Sequence, residues 1–314
     1  MNPTASTTPK KVIVITGGNV GIGFQAAKLI LSTGSNVHVV LGCHDHDRAT
    51  AGVKSLEGFA AESNTIEFRP LELASFASVR QFGESLVASF PYGIHTLVLN
   101  AGVMVFKREL TADDGHEYSM QVNHLSQLLL TQLLLPSLRN GHQTWPEDKK
   151  TTVLFVSSDL HKPGVGKGKG PILTLENLND TEGFDGMVAY RNSKLCQLLC
   201  MHVLARQLKD DVVTVNAVSP GFVPTSGLKR HSGFATRMLM DNVLSRISAA
   251  STEEEGGRRV FNAMSGERRN GNAVYYDKDM VGEMSEESKD LEKQKFWWDW
   301  SCRAIGLEGL SAQQ

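Results

Sequence analysis

Tyr190 and Lys194 stand four residues apart in Tyr190-Arg191-Asn192-Ser193-Lys194, a spacing that puts both side chains on one face of a helix. An ammonium beside a phenol stabilises the phenolate and lowers the phenol's pKa. Such a pair can give a proton to an oxygen at a reacting carbon, or take one from it. A Tyr-x-x-x-Lys also arises by chance as an exposed surface pair, so its meaning depends on what the chain builds around it.

A second stretch with chemical content is Thr16-Gly17-Gly18-Asn19-Val20-Gly21-Ile22-Gly23, between the β-branched run Lys11 to Ile15 and the amphipathic segment Phe24 to Leu31. Strand, glycine turn and helix in that order suit a phosphate: glycines admit close main-chain approach, and the helix start offers unpaired N–H groups. The spacing of Gly17, Gly21 and Gly23 departs from Gly-x-Gly-x-x-Gly, and an ordinary strand-to-helix turn is the alternative.

The elements that must position these groups alternate. Strands are expected over Asn36 to Leu41, Thr65 to Leu71, Ile94 to Leu99, Thr152 to Val156, Val212 to Val218 and Gly271 to Tyr276. Helices are expected over Asp45 to Ala61, Ser75 to Ser89, Thr111 to Leu138, Val188 to Leu208 and, after a capping box at Thr252 to Glu255, through Met264. Such alternation implies one α/β domain: a doubly wound parallel sheet of seven strands, helices on both faces, and ligands at the carboxyl ends of the strands. The Asp159 to Asp185 connection is long and Gly-rich, Gly227 to Ser248 is Met- and Leu-rich, and the tail Ser285 to Leu310 reads as one helix anchored by Phe296, Trp297, Trp298 and Trp300. Residues 1–10 read as a disordered lead-in to a domain spanning 11–314.

The net charge of −2, from 32 basic and 34 acidic side chains, supplies no field for nucleic acid or an anionic membrane. No apolar run reaches the roughly eighteen residues of a bilayer span, and neither end carries a targeting signal. The four cysteines fit a reducing, cytosolic setting. Cys196 and Cys200, with His202 beyond them, read as packed thiols of an apolar helix, and no metal is expected.

Thr16-Gly17-x-x-x-Gly21-x-Gly23, Leu99-Asn100-Ala101-Gly102-Val103-Met104, Val122-Asn123-His124-Leu125, Val156-Ser157-Ser158, Tyr190-x-x-x-Lys194 and Ser219-Pro220-Gly221 follow one another at the ends of successive elements. In this order they resemble the short-chain dehydrogenase/reductases over nearly the whole chain, and more narrowly the branch with retinol dehydrogenase-like and protochlorophyllide reductase-like enzymes. The resemblance implies a Rossmann fold in which Tyr190 is the general acid/base and Lys194 holds the nicotinamide ribose and lowers the tyrosine pKa. Ser158 bonds the substrate oxygen, with Ser157 as the fallback, and Asn123 orders a water linked to the lysine. It also implies a dinucleotide site lined by Gly17, Asn19, Gly21, Ile22, Gly23, His44, Arg48, Glu72, Leu73, Asn100, Ala101, Gly102, Pro220, Gly221, Val223 and Thr225, with a substrate lid over about residues 225–250.

The end of the second strand, Val40-Leu41-Gly42-Cys43-His44, has no carboxylate until Asp45. Absence of an acid favours NADP over NAD without excluding NAD. His44 replaces the arginine usual in the related branch, and Arg48 is the compensating cation. Glu72 stands where the family has an aspartate on the adenine, and Val20 replaces a small hydroxylated residue. The resemblance implies a homodimer or homotetramer formed through the helices around Thr111 to Leu138 and Val188 to Leu208. The expected activity is an NADP-dependent oxidoreductase acting on a carbonyl or alcohol of a fairly large apolar small molecule, in the manner of a secondary-metabolite tailoring reductase. Reduction of C=C or C=N, cyclisation or epimerisation on the same scaffold is the alternative. A non-catalytic dinucleotide-binding protein is disfavoured because both Tyr190 and Lys194 are present.

Overall fold

The computed structural model describes residues 9–166, 168–209, 211–223 and 250–307. Eight strands form one sheet in the order β3-β2-β1-β4-β5-β6-β7-β8. They are β1 (Lys11–Thr16), β2 (Val37–Cys43), β3 (Thr65–Pro70), β4 (Thr96–Leu99), β5 (Thr151–Val156), β6 (Val213–Ser219), β7 (Tyr275–Asp277) and β8 (Met280–Val281). Seven are parallel, as the alternation requires; β8 is a two-residue antiparallel addition to β7 that no sequence periodicity announces. The chain runs from β1 outward to β2 and β3, then returns to lay β4 against the other side of β1, pairing Ile15 with Val98. The strand order thus reverses between β1 and β4, which opens a crevice at their carboxyl ends.

Helices α1 (Gly21–Thr33), α2 (His46–Glu57) and α8 (Glu253–Ala263) cover one face, where Ile15, Leu41 and Val260 are fully buried. Helices α3 (Phe76–Ser89), α5 (Ser126–Thr144), α7 (Gly186–Gln207) and α10 (Leu291–Ala304) cover the other. Short helices α4 (Tyr118–Met120), α6 (Leu175–Asn179) and α9 (Glu286–Lys289) complete the set among the described residues.

The helix expected over Thr111 to Leu138 begins later and ends later. Glu117 caps α4 by accepting from the N–H groups of Ser119 and Met120, and α4 passes through a π-helical turn, Gln121–Leu125, into α5. Pro136 does not stop α5, which runs on to Thr144 with Gly141 pressed against the Ile94 backbone, where a Cβ has no room. The expected tail helix breaks in two at Asp290, whose carboxylate caps α10. Its Trp297 and Trp298 are buried in the domain's own core, with α10 across α7, so the aromatic tail packs on its own chain. The capping box at Thr252 and Glu255 is present as expected. At the start of the described chain, Pro9 accepts from the Trp145 indole at 3.0 Å and Lys10 donates to Thr65.

Candidate active site

The carboxyl ends of β1 and β4 are tied by one carboxamide. Asn100 Nδ2 donates to the carbonyls of Thr16 at 2.9 Å and Gly17 at 3.1 Å, while the Thr16 hydroxyl accepts from the Ala101 N–H at 3.0 Å. Gly17 has φ +66°, and a Cβ there would stand 3.1 Å from Ala101. A Cβ on Gly23 would meet Asn100 Nδ2 at 2.5 Å and the Gly17 carbonyl at 2.9 Å. These glycines let β1, α1 and β4 approach one another. The residue preceding α1, Val20, provides no side-chain acceptor, and the first turn holds no acidic residue. The helix start therefore keeps its unpaired N–H groups and positive potential for an outside anion, which fits the pyrophosphate of a dinucleotide. Asn19 is buried, and Ile22 lies against α8, where Gly256 leaves space for both Ile22 and Val223.

At the end of β2, His44 is exposed. Arg48 is not a free cation: its Nε lies 2.5 Å from Asp45 Oδ2, and its N–H donates to Asp45 Oδ1 at 3.0 Å. Asp45 is the cap of α2, and its bonds to the Arg48 N–H and side chain hold its carboxyl below the usual range. Glu72 folds its longer side chain back, accepting from the Ala74 N–H at 2.8 Å, and Leu73 is buried with its carbonyl accepting from Ser126. Gly102, half-buried, follows Ala101, whose carbonyl accepts from Gln127 at 2.5 Å. Pro220 accepts from Arg259 Nη1 at 2.8 Å, and Gly221, at φ +87°, leaves room for that guanidinium and the Ser251 hydroxyl. Thr225 and nearly all of the expected lid lie outside the described residues.

The residues expected to handle the proton converge from three elements. Tyr190 and Lys194, both buried, lie one turn apart on α7, with the ammonium 5.8 Å from the centre of the Tyr190 ring. Ser158, just past β5, accepts from the Leu160 N–H at 3.3 Å, whereas the Ser157 hydroxyl is buried without a hydrogen-bond partner. Of the two serines, Ser158 is the one that acts on the Tyr190 phenol, opposing the effect of its burial. Lys194 Nζ donates to the Val156 carbonyl at 2.8 Å. Burial pushes the phenol up to about 12, with Ser158 opposing, and drives Lys194 down to about 7. The expected lowering of the phenol by the lysine is therefore not seen in this structure. Both groups are removed from water, and an ammonium that loses its proton near neutrality gives a phenolate little support.

Asn123 lies in the π turn. Its Oδ1 accepts from the Val103 N–H at 2.7 Å, its Nδ2 donates to the Val103 carbonyl at 2.9 Å and to the Ser193 hydroxyl at 2.9 Å, and its own carbonyl accepts from Gln197 at 3.1 Å. The side chain thus binds the turn after β4 to the helix that carries Tyr190.

Three further residues shape the site with little warning from the sequence. His161 Nδ1 donates to the Ser158 carbonyl at 2.6 Å while Nε2 accepts from the Ser285 N–H at 3.2 Å, and burial holds the imidazole down at about 4. Arg191 Nη1 donates to the Leu160 carbonyl at 3.4 Å. Asn192 pairs with both main-chain groups of Ile172, accepting at 2.7 Å and donating at 2.9 Å. The residues between Tyr190 and Lys194 thereby fasten the long Asp159 to Asp185 connection beside the site. The only signal for them is that they sit inside the Tyr-x-x-x-Lys interval.

The sequence model of the short chain dehydrogenase family matches residues 11–167, and that of the enoyl-(acyl carrier protein) reductases matches 149–268. Over 99% of this chain and 89% of the relative, the sequence is 30% identical to retinol dehydrogenase 13 of Homo sapiens. It is 32% identical to polyprenol dehydrogenase of Danio rerio over 95% and 87%, and 30% identical to chloroplastic protochlorophyllide reductase A of Oryza sativa subsp. japonica over 96% and 82%. Among solved structures, an uncharacterized protein from Mycobacterium paratuberculosis aligns at 26% identity and a TM-score of 0.69, covering 98% of both chains. Two more share the fold: the Pseudomonas aeruginosa RhlG/NADP complex (TM-score 0.66, 21% identity, 89% and 98% covered) and an NADH-dependent reductase complexed with NAD (0.59, 20%, 86% and 95%).

Proposed function

The chain belongs to the short-chain dehydrogenase/reductase family, and from that premise we propose that it is an NADP-dependent oxidoreductase that reduces a carbonyl, or oxidises the matching alcohol, on a fairly large apolar small molecule. The observation that carries this is the buried pair of Tyr190 and Lys194 one helical turn apart, the ammonium 5.8 Å from the phenol ring and bonded to the Val156 carbonyl two residues before Ser158. The dinucleotide supplies the hydride when bound. Ser158 holds the substrate oxygen, and Tyr190 gives it a proton. Burial holds the Tyr190 phenol protonated, the state a proton donor needs. Asn123 and Val156 hold the turn and the lysine that border this pair.

NADP is favoured because the end of β2 offers no uncommitted acid to a ribose 2′-hydroxyl, Asp45 being engaged with α2 and Arg48. NAD remains the second cofactor, and solved neighbours include complexes of each kind. Relatives named for retinol, polyprenol and protochlorophyllide support a large apolar substrate, and we place the activity in tailoring of such a metabolite in the cytosol. Among the described residues no helix is long and apolar enough to cross a membrane. α10 lies across α7, one of the helices expected to form a dimer or tetramer interface.

The match of residues 149–268 to enoyl reductases favours a second reading, hydride delivery to a C=C bond. Deuterium transferred from 4-deuterated NADPH separates the two: on a carbinol carbon it supports carbonyl reduction, on the saturated carbon β to a retained carbonyl the enoyl reading. Tyr190→Phe is expected to lower turnover about 10²–10⁴-fold with dinucleotide binding kept. Wild-type turnover in that variant would refute the proton donor assigned here.

A further inference from the structure

Outside the reaction site, three metal-ligating side chains converge. His124 of the π turn and Cys196 and Cys200 of α7 present donor atoms that all lie within 4.8 Å of one another, and all three residues are buried. Ser301 of α10 closes the group, its hydroxyl 2.8 Å from His124 Nε2 and 3.6 Å from Cys200 Sγ. His124 Nδ1 is buried with no hydrogen-bond partner. His202, the histidine nearest in sequence to the cysteines, is not in the group.

The donor set suits zinc. Two thiolates and a neutral imidazole cancel the dication's charge, so a closed site carries no net charge into the core. Tetrahedral Zn–S and Zn–N bonds of about 2.3 and 2.0 Å put ligand atoms roughly 3.5–3.8 Å apart, so these donors need close by only about an ångström.

We propose that His124, Cys196 and Cys200 form a buried structural zinc site with the Ser301 hydroxyl at the fourth position. Binding releases the two thiol protons and puts one Zn²⁺ in their place. The metal clamps the π turn directly after Asn123 to α7 two residues beyond Lys194 and to α10. It stands independently of the reaction assigned to the chain.

The test is the zinc and thiol content of the full chain purified from zinc-supplemented culture, with a parallel cobalt-substituted preparation. About one zinc per chain is expected, falling about tenfold or more in Cys196→Ser and in Cys200→Ser and unchanged in Cys302→Ser. The cobalt protein is expected to show thiolate-to-cobalt charge transfer and tetrahedral d–d bands. If the cysteine variants do not fold, the wild-type cobalt spectrum decides alone. Wild-type protein with four reduced thiols, no zinc and no thiolate–cobalt band overturns the site, as does a Cys196–Cys200 disulfide or zinc retained in both cysteine variants.

Discussion

Asn123 and Ser193 are joined between two helical segments: the Asn123 carboxamide donates to the Ser193 hydroxyl at 2.9 Å, and that hydroxyl donates onward to the Tyr190 carbonyl at 2.7 Å. The backbone of the proton donor is thus referenced to the turn after β4. Removing the hydroxyl in Ser193→Ala is expected to cost about 1 kcal/mol of positioning, roughly a fivefold fall in kcat, with NADPH affinity unchanged and Ser193→Thr restoring most of the loss. Steady-state kinetics beside a fluorescence titration of NADPH checks it; equal kcat in the alanine variant would show the bond to be structural only.

Gly23 is the tightest of the nucleotide-turn glycines described above, its absent Cβ only 2.5 Å from Asn100 Nδ2. Gly23→Ala is expected to push the start of α1 from β4 and weaken dinucleotide binding about tenfold, a change of roughly 1.4 kcal/mol. Calorimetric titration with NADPH reads this directly, and unchanged affinity would place the phosphates elsewhere.

The proposed preference for NADP bears on the Asp45–Arg48 pair. Asparagine caps helices as well as aspartate, so Asp45→Asn keeps α2 while releasing the Arg48 guanidinium from its partner. The ratio of kcat/KM for NADPH over NADH is expected to rise about threefold to tenfold, within the range of an exposed ion pair redirected to phosphate. His44→Asp is expected to move the ratio the other way. A ratio unmoved by both changes would mean that the 2′-position lies away from the end of β2.

His161 gives a pH dependence of stability. Its folded value of about 4 lies below the ordinary 6.5, so between these values the unfolded chain binds the proton and the folded chain resists it. Stability from this group is therefore present above pH 6.5 and is lost as pH falls toward 4, by an amount on the order of 3 kcal/mol at full titration. Thermal melts of wild type and His161→Gln over this range check the sign, the variant being expected to show a shallower decline. Parallel declines would assign the acid sensitivity to other groups.

The fold was legible because each strand ends in a turn with its own chemistry: a glycine turn at Thr16, Asn100 after β4, the serine pair after β5 and Pro220 after β6. The local alternation of apolar runs also located most elements to within a few residues. What escaped was set by tertiary contact. The late start of α4 depends on Glu117 turning to cap it, and α5 outlasts Pro136 because neighbouring packing holds the helix. Arg48 looked available to a phosphate until its reach to Asp45 was seen. His124 passed as one letter of a family motif, since nothing in a linear sequence places it beside thiols more than seventy residues away.

The ties of Pro9 to Trp145 and of Lys10 to Thr65 fix where the chain enters the sheet, at the amino-terminal edge of the parallel strands. Ser158 follows the carboxyl end of β5, at the opposite edge. A tether joined at residue 9 would therefore be held on the side of the sheet away from Ser158.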